Sequence, residues 1–191
     1  MPGANEFRML AGLLRYPNES FIADAIETCA SLAAIEPGLA APLREFLDRT
    51  RGLSVEDLQA LYTSTFDLDP ICSLEIGWHL FGENYERGEF LVKMRGKLRN
   101  LGIVESAELP DHLSHALEAL GRMEPEDAAD FAAACLFPAL DKMIAGIQGK
   151  ANSFECVLAA AQQFLSVRFE RGEPAMAAPE PAFRILDSEG W

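Results

Sequence analysis

The sequence predicts an all-α fold, a single-domain helical bundle, on three observations. Ala and Leu dominate its apolar residues while Val, Ile and Thr are sparse, and β-branched side chains are the ones that pleated strands select. Apolar residues recur at steps of three and four rather than in alternation, which paints one face of a helix after another. The chain has 191 residues, 49% of them hydrophobic, with neither an internal repeat nor an inter-domain linker. That is enough chain for one buried core and too much apolar surface for disorder.

Each element follows from its stripe and its punctuation. Phe7, Leu10, Ala11 and Leu14 form a first helix, which Pro17 ends. Asn18 or Ser20 caps a second, carrying Ile22, Ala25, Ile26, Cys29, Ala30 and Ala33, and Pro37-Gly38 separates it from a third with Leu43, Phe46 and Leu47. Ser54 and Asp57 have capping-box spacing ahead of Leu58, Leu61, Tyr62, Thr65 and Phe66. The chain turns at Pro70, and a short helix bearing Leu74, Trp78 and Phe81 runs into Gly82. The next helix, from about Tyr85 to Leu101, places Leu91, Met94, Leu98 and Leu101 on one face and stops at Gly102, which suits a left-handed cap. Asp111 is the expected cap of a helix through Leu113, Ala116, Leu117 and Leu120. Pro125 opens a long segment with Leu136, Leu140, Met143 and Ile147, which Pro138 should kink or split. Asn152 or Ser153 caps a last helix with Phe154, Val157, Leu158, Ala161 and Leu165. The expected division is a helical domain over 1–171 and a Pro/Ala-rich tail over 172–191, extended or mobile, in which Phe183, Ile185, Leu186 and Trp191 are the residues able to dock.

Thirty acidic residues face sixteen basic ones, a formal net charge of −14. Phosphate backbones and anionic membrane surfaces are repelled by such a protein, so neither nucleic acid nor a membrane is an expected partner. The acid is concentrated. Asp67 to Glu89 holds six carboxylates against Arg87, and Ile103 to Asp141 holds nine against Arg122. Between them Lys93, Arg95, Lys97 and Arg99 form a basic stripe. Solvated helix faces explain such runs, and so does a surface that receives a cationic peptide. With no secretory signal, no run of about 18 apolar residues and four widely spaced cysteines that read as reduced core residues, the expected location is the cytoplasm.

Catalytic patterns are missing from the sequence. There is no phosphate-binding glycine loop and no Gly-x-Ser-x-Gly. His112 and His115 are three apart on a predicted helix, near Glu108, Asp111 and Glu118, and with His79 they furnish an alternative reading as a metal-dependent helical enzyme. Against it stand the lack of His-Glu-x-x-His or repeated Glu-x-x-His, and an acid content that puts carboxylates beside any histidine. No metal, no cofactor and no catalytic activity are expected.

The stretch Leu61 to Leu120 carries a family resemblance. Tyr62 with Phe66-Asp67, then Gly82 with Arg87-Gly88 leading into a long helix, and above all Glu108-Leu109-Pro110-Asp111-His112-Leu113 resemble the NarJ/TorD/DmsD redox-enzyme maturation chaperones, in particular the NarJ-like branch. Ser114 departs from the proline with which that branch commonly continues. The resemblance implies a helical bundle of the TorD/NarJ type and a cytoplasmic chaperone. Its partner would be the N-terminal leader of the apo catalytic subunit of a molybdopterin-dependent oxidoreductase, often a twin-arginine signal peptide, held until the molybdenum cofactor is inserted. It also implies a monomer or a helix-swapped dimer, the loop at Pro70 being a hinge. A non-catalytic adaptor with another client is a further alternative. Paired arginines before an apolar helix need carboxylates beside a hydrophobic groove. Asp67, Asp69, Glu108 and Asp111 are the expected carboxylates, Tyr62, Phe66, Trp78, Phe81 and Leu109 the expected lining, and Arg87 and His112 complete the candidate peptide-binding set. Most also have an architectural reading: core for Tyr62 and Phe66, a helix-to-loop turn for Asp67, a pair with a neighbouring carboxylate such as Glu83 for Arg87, the shape of the loop for Leu109, a helix cap for Asp111 and loop orientation for His112.

Overall fold

A computed structural model describes residues 3–170 and Leu186, and among these the chain is all α with no strand. The expected tail lies outside the described residues except for Leu186, which is buried. Ten α-helices follow in order: α1 (Ala4–Gly12), α2 (Phe21–Ile35), α3 (Ala41–Arg49), α4 (Val55–Tyr62), α5 (Ile76–Phe81), α6 (Tyr85–Asn100), α7 (Leu113–Leu120), α8 (Pro125–Phe131), α9 (Phe137–Ile147) and α10 (Phe154–Arg168). A 3₁₀ turn at Pro37–Ala40 enters α3. Packing runs α7 on α1, α1 on α2, α2 on α3, α3 on α10 and α10 on α9, with α5 held between α9 and α6.

The predicted stripes become the core. Phe7, Leu10 and Ala11 are buried on α1, though that helix ends at Gly12, well before Pro17. Phe154 at the start of α10 is the hub of an aromatic cluster, its ring 5.2 Å from Phe66, 5.6 Å from Tyr62, 5.8 Å from Phe46 and 6.1 Å from Phe21. Such a ring, fully enclosed, is among the largest single contributions a core side chain makes, about 3–5 kcal/mol on truncation. The capping box at Ser54 and Asp57 forms. Gly102, at φ 65°, ends α6 in a Schellman turn, with Ile103 N–H donating to Leu98 C=O at 2.9 Å. At α2 Asn18 organises the entry by accepting the Ser20 N–H at 2.9 Å, and at α10 Asn152 accepts the Phe154 N–H at 3.0 Å.

Two helices widen into π-turns before a proline. α4 runs into one at Thr63–Asp67, closed by Leu68 N–H to Thr63 C=O at 3.1 Å and followed by Pro70. α8 runs into another at Ala132–Leu136, after which Pro138 sits in the first turn of α9. Proline cannot donate to the carbonyl four residues back and its ring crowds that carbonyl, so the predicted split at Pro138 takes the form of one widened turn.

Three expectations are corrected. The inner face of α6 is Phe90, Met94, Lys97 and Leu98, with Leu91 only half-buried. Lys97 therefore does not belong to a surface stripe: it is 3% exposed, with its ammonium 3.3 Å from the Asp127 carboxylate. Asp111 does not cap α7; the N-cap is His112, whose side chain accepts the Ser114 N–H.

Candidate functional site

The loops before α5 and before α7 are stitched together. Ile76 N–H donates to Asp111 C=O at 3.1 Å and Leu113 N–H to Leu74 C=O at 2.8 Å, so Glu75 and His112 form an isolated antiparallel bridge. Leu74, expected on the short helix, serves this bridge instead. Asp111 fastens it from inside. Its side chain is wholly buried, and Oδ2 accepts the Gly77 N–H at 2.8 Å, capping α5 from another segment. A Cβ on Gly77 would lie 2.7 Å from that oxygen and 3.0 Å from Phe90, so only glycine lets the loops approach this closely. The other Asp111 oxygen and Arg87 Nε are buried without a hydrogen-bond partner. Desolvation pushes the Asp111 carboxyl above the usual carboxylate range, opposed by the Gly77 bond and by the Arg87 charge.

All three histidines hold the chain. His79 Nε2 bonds Ser73 C=O at 2.7 Å. His112 Nδ1 bonds Ser114 Oγ at 2.8 Å, and burial, helped by the neighbouring His115 and Arg15, pushes its imidazole down to about 3, so it is neutral. His115 Nε2 accepts the Ser106 N–H at 3.1 Å, which leaves Nδ1 to donate to Leu109 C=O at 2.9 Å and fixes the loop above it. Among the described residues no three His, Cys, Asp or Glu side chains gather as a metal site. The metal-enzyme alternative thus has no ligand set there, each of its histidines bonding the protein's own backbone or hydroxyl groups.

Around this clamp lie the other candidates. Tyr62 is buried, donating its hydroxyl to Leu14 C=O at 3.0 Å, with its ring 5.0 Å from Phe66 and 5.6 Å from the half-exposed Tyr16. Its phenol is pushed up by burial first and further by the negative charges of Glu108, Asp67 and Glu75. Asp67 and Glu108 are exposed. Glu75, half-buried, is raised by desolvation and by Asp111 and Glu108, and lowered by Arg87. Arg87 lies over the Trp78 ring at 5.3 Å rather than against Glu83, and the indole N–H of Trp78 donates to Pro70 C=O at 2.8 Å. The exposed apolar side chains Leu68 and Ile71 sit on the first loop and Leu109 on the second.

The structure therefore joins the segment that begins at Asp67 to the loop carrying Glu108, Leu109, Asp111 and His112, with Trp78 of α5 and Arg87 of α6 beside the joined loops, while Tyr62 and Phe66 pack into the core against Phe154. Asp69 turns elsewhere, accepting the Ile71 N–H at 3.0 Å and the Lys150 ammonium at 3.2 Å, which together hold its carboxyl low. Phe81 packs on Phe90, ring to ring at 5.3 Å. Sequence reading overlooked Glu75, Gly77 and Tyr16. For Gly77 a signal existed: a glycine inside a six-residue helix is a poor helix former, and a close approach is the physical reason to keep one. Glu75 and Tyr16 have no local signal, because their place depends on segments far away in the chain.

Two curated relatives match part of this chain. Both bear the name nitrate reductase molybdenum cofactor assembly chaperone NarJ, one from Escherichia coli K12 and one from Escherichia coli O157:H7, and each is 30% identical over 129 residues, covering 65% of this chain and 55% of the relative. The chain thus spans about half the length of the curated relatives it matches. The profile of the nitrate reductase delta subunit family matches residues 32–167, a stretch containing both stitched loops and every expected site residue. With that match over most of its length, this chain belongs to the nitrate reductase delta subunit family.

Proposed function

We propose that the protein is an assembly chaperone for a molybdenum-cofactor-dependent oxidoreductase of the nitrate reductase type, cytoplasmic and without catalysis of its own. It binds the N-terminal leader of the apo catalytic subunit and holds that subunit until the cofactor is inserted. The observation that carries this reading is the Glu75–His112 bridge, which joins a segment bearing exposed Asp67, Leu68 and Ile71 to one bearing exposed Glu108 and Leu109. Carboxylates bind leader arginines through charge-assisted hydrogen bonds, and the apolar side chains take the helix that follows. Family membership and the name of the curated relatives support the same client class. Of the residues proposed from sequence, Asp67, Glu108, Leu109 and Trp78 are assigned to contact, and Tyr62, Phe66, Asp111 and His112 to holding the loops, because burial keeps these four from a peptide's reach.

Calorimetric titration with a synthetic leader carrying paired arginines, taken from the molybdoenzyme catalytic subunit encoded beside this protein, tests the proposal. Binding is expected, and Asp67→Ala with Glu108→Ala is expected to weaken it about tenfold, as the loss of two charge-assisted contacts at a surface would. No binding to that leader, or full affinity in the double variant, overturns the reading.

A further inference from the structure

The outward face of α6 has a pattern that leader binding does not use. At about 100° per residue, Tyr85, Gly88, Glu89, Val92, Arg95, Gly96 and Arg99 fall on one stripe centred on Val92, opposite the inner face of Phe90, Met94 and Leu98. Two apolar side chains stand far out of it, Tyr85 88% and Val92 62% exposed. A Cβ added at Gly88 or Gly96 would meet nothing within 4 Å, so the helix backbone is open to close approach at both places. Charge is polarised along the same helix. Glu86 and Glu89 lie in its first half, and Lys93, Arg95, Lys97 and Arg99 follow Val92.

We propose that this face pairs with the same face of a second copy of the chain, the two α6 helices running antiparallel about a two-fold axis through Val92. That axis sets each residue before Val92 against the residue equally far beyond it. Glu89 then faces Arg95 of the other copy, Gly88 faces Gly96, Tyr85 faces Arg99, and Val92 meets Val92. Every opposition is favourable. The ion pair is of opposite sign, the glycines let the helices close, the guanidinium lies on a phenol ring, and two exposed apolar groups are buried. Antiparallel alignment also sets each helix's positive end beside the other's negative end. A parallel pair would instead stack acid on acid and base on base, so the sequence of α6 itself selects the orientation. Within each copy the charges are partly engaged: Arg95 Nε bonds Glu105 at 3.0 Å, Glu89 lies 3.7 Å from Lys93, and Arg99 has no ion pair among the described residues. The patch is a single helix face, smaller in kind than the broad apolar interfaces of obligate dimers, so the contact is a reversible dimer. Trp78 and the stitched loops are not part of it, so a dimer keeps two leader sites.

Sedimentation equilibrium of the full chain tests this. The weight-average mass is expected to rise from the single-chain 20.9 kDa as concentration increases through roughly 10 to 500 µM. Val92→Glu should hold the mass at one chain by opposing two carboxylates on the axis. Glu89→Arg should weaken association at least fivefold, and Glu89→Arg with Arg95→Glu should restore it. Val92→Cys, oxidised with copper phenanthroline, should cross-link in pairs, whereas Glu19→Cys on another exposed segment should not, the four native cysteines being buried. These positions are exposed, so circular dichroism should show every variant folded. A mass fixed at one chain throughout, a dimer indifferent to Val92→Glu, or equal cross-linking at positions 92 and 19 overturns the proposal. Leader affinity of Val92→Glu, expected unchanged, keeps this outcome separate from the chaperone reading.

Discussion

Asp111 is the residue on which the two loops turn. A helix cap or a leader-binding carboxylate was expected of it, but its side chain is enclosed, with one oxygen on the Gly77 N–H and the other without a partner. A buried ionised group is tolerated only where local bonds offset its desolvation. Here the backbone N–H and the nearby guanidinium of Arg87 offset part of it, and the carboxyl is still raised. For an acid whose folded pKa lies above its unfolded value, the ionised form weakens folding at high pH, and the penalty fades as pH falls through the folded value. Asp111→Asn keeps an oxygen for Gly77 and removes the buried charge, so it should leave stability at pH 7 unchanged or raise it. Gly77→Ala pushes a methyl into the same oxygen and should cost about 2–3 kcal/mol. Urea denaturation of both variants at pH 7 checks this, and a Gly77→Ala protein as stable as the parent would show that the close approach is not what the glycine secures.

Among the elements, α6 and α8 show what a sequence can and cannot announce. Helices, their caps at Ser54 and Gly102 and the break at Pro138 were all legible, because hydrophobic period, capping chemistry and proline's missing N–H act within a few residues. Lys97 was not. Its neighbours Lys93, Arg95 and Arg99 give it the look of a surface residue, and only the packing of α6 brings Asp127 of α8, thirty positions on, to its ammonium. The candidate site divides the same way: the motif residues Glu108 to His112 could be found in the sequence, but their inward or outward direction depends on the bridge to Glu75. Because Lys97 is almost entirely buried and Asp127 reaches solvent, the two halves of their pair are unequal. Asp127→Ala strands a buried ammonium and should destabilise by about 3 kcal/mol. Lys97→Met replaces the charge with an apolar chain of similar length and leaves a carboxylate that water can reach, so it should cost less than about 1 kcal/mol. Thermal unfolding of the two variants side by side tests that order, and an equal loss in both would mean the pair acts through its charge alone.

At the scale of the whole molecule, the net charge of −14 sets a long-range field, the one in which the cationic leader of the proposed function would approach. The field and the contacts are separable, because they respond differently to salt. Charges spread over the exposed helices are screened beyond about 8 Å at physiological ionic strength, whereas contacts at the stitched loops act inside that distance. Under the proposed function the diffuse charge therefore governs the rate of encounter, and Asp67 and Glu108, with half-buried Glu75, govern how long a leader stays. Raising sodium chloride from about 0.05 to 0.5 M, which shortens the Debye length from about 14 to about 4 Å, should slow leader association at least tenfold and change dissociation by less than threefold. Asp67→Ala with Glu108→Ala should do the reverse, speeding dissociation while removing only two of thirty acidic residues and so leaving association nearly as fast. Stopped-flow measurement with a fluorescent leader resolves the two rates. If salt acted on dissociation alone, the acid of the whole surface would have no part in capture, and the negative charge of this chain would need another explanation.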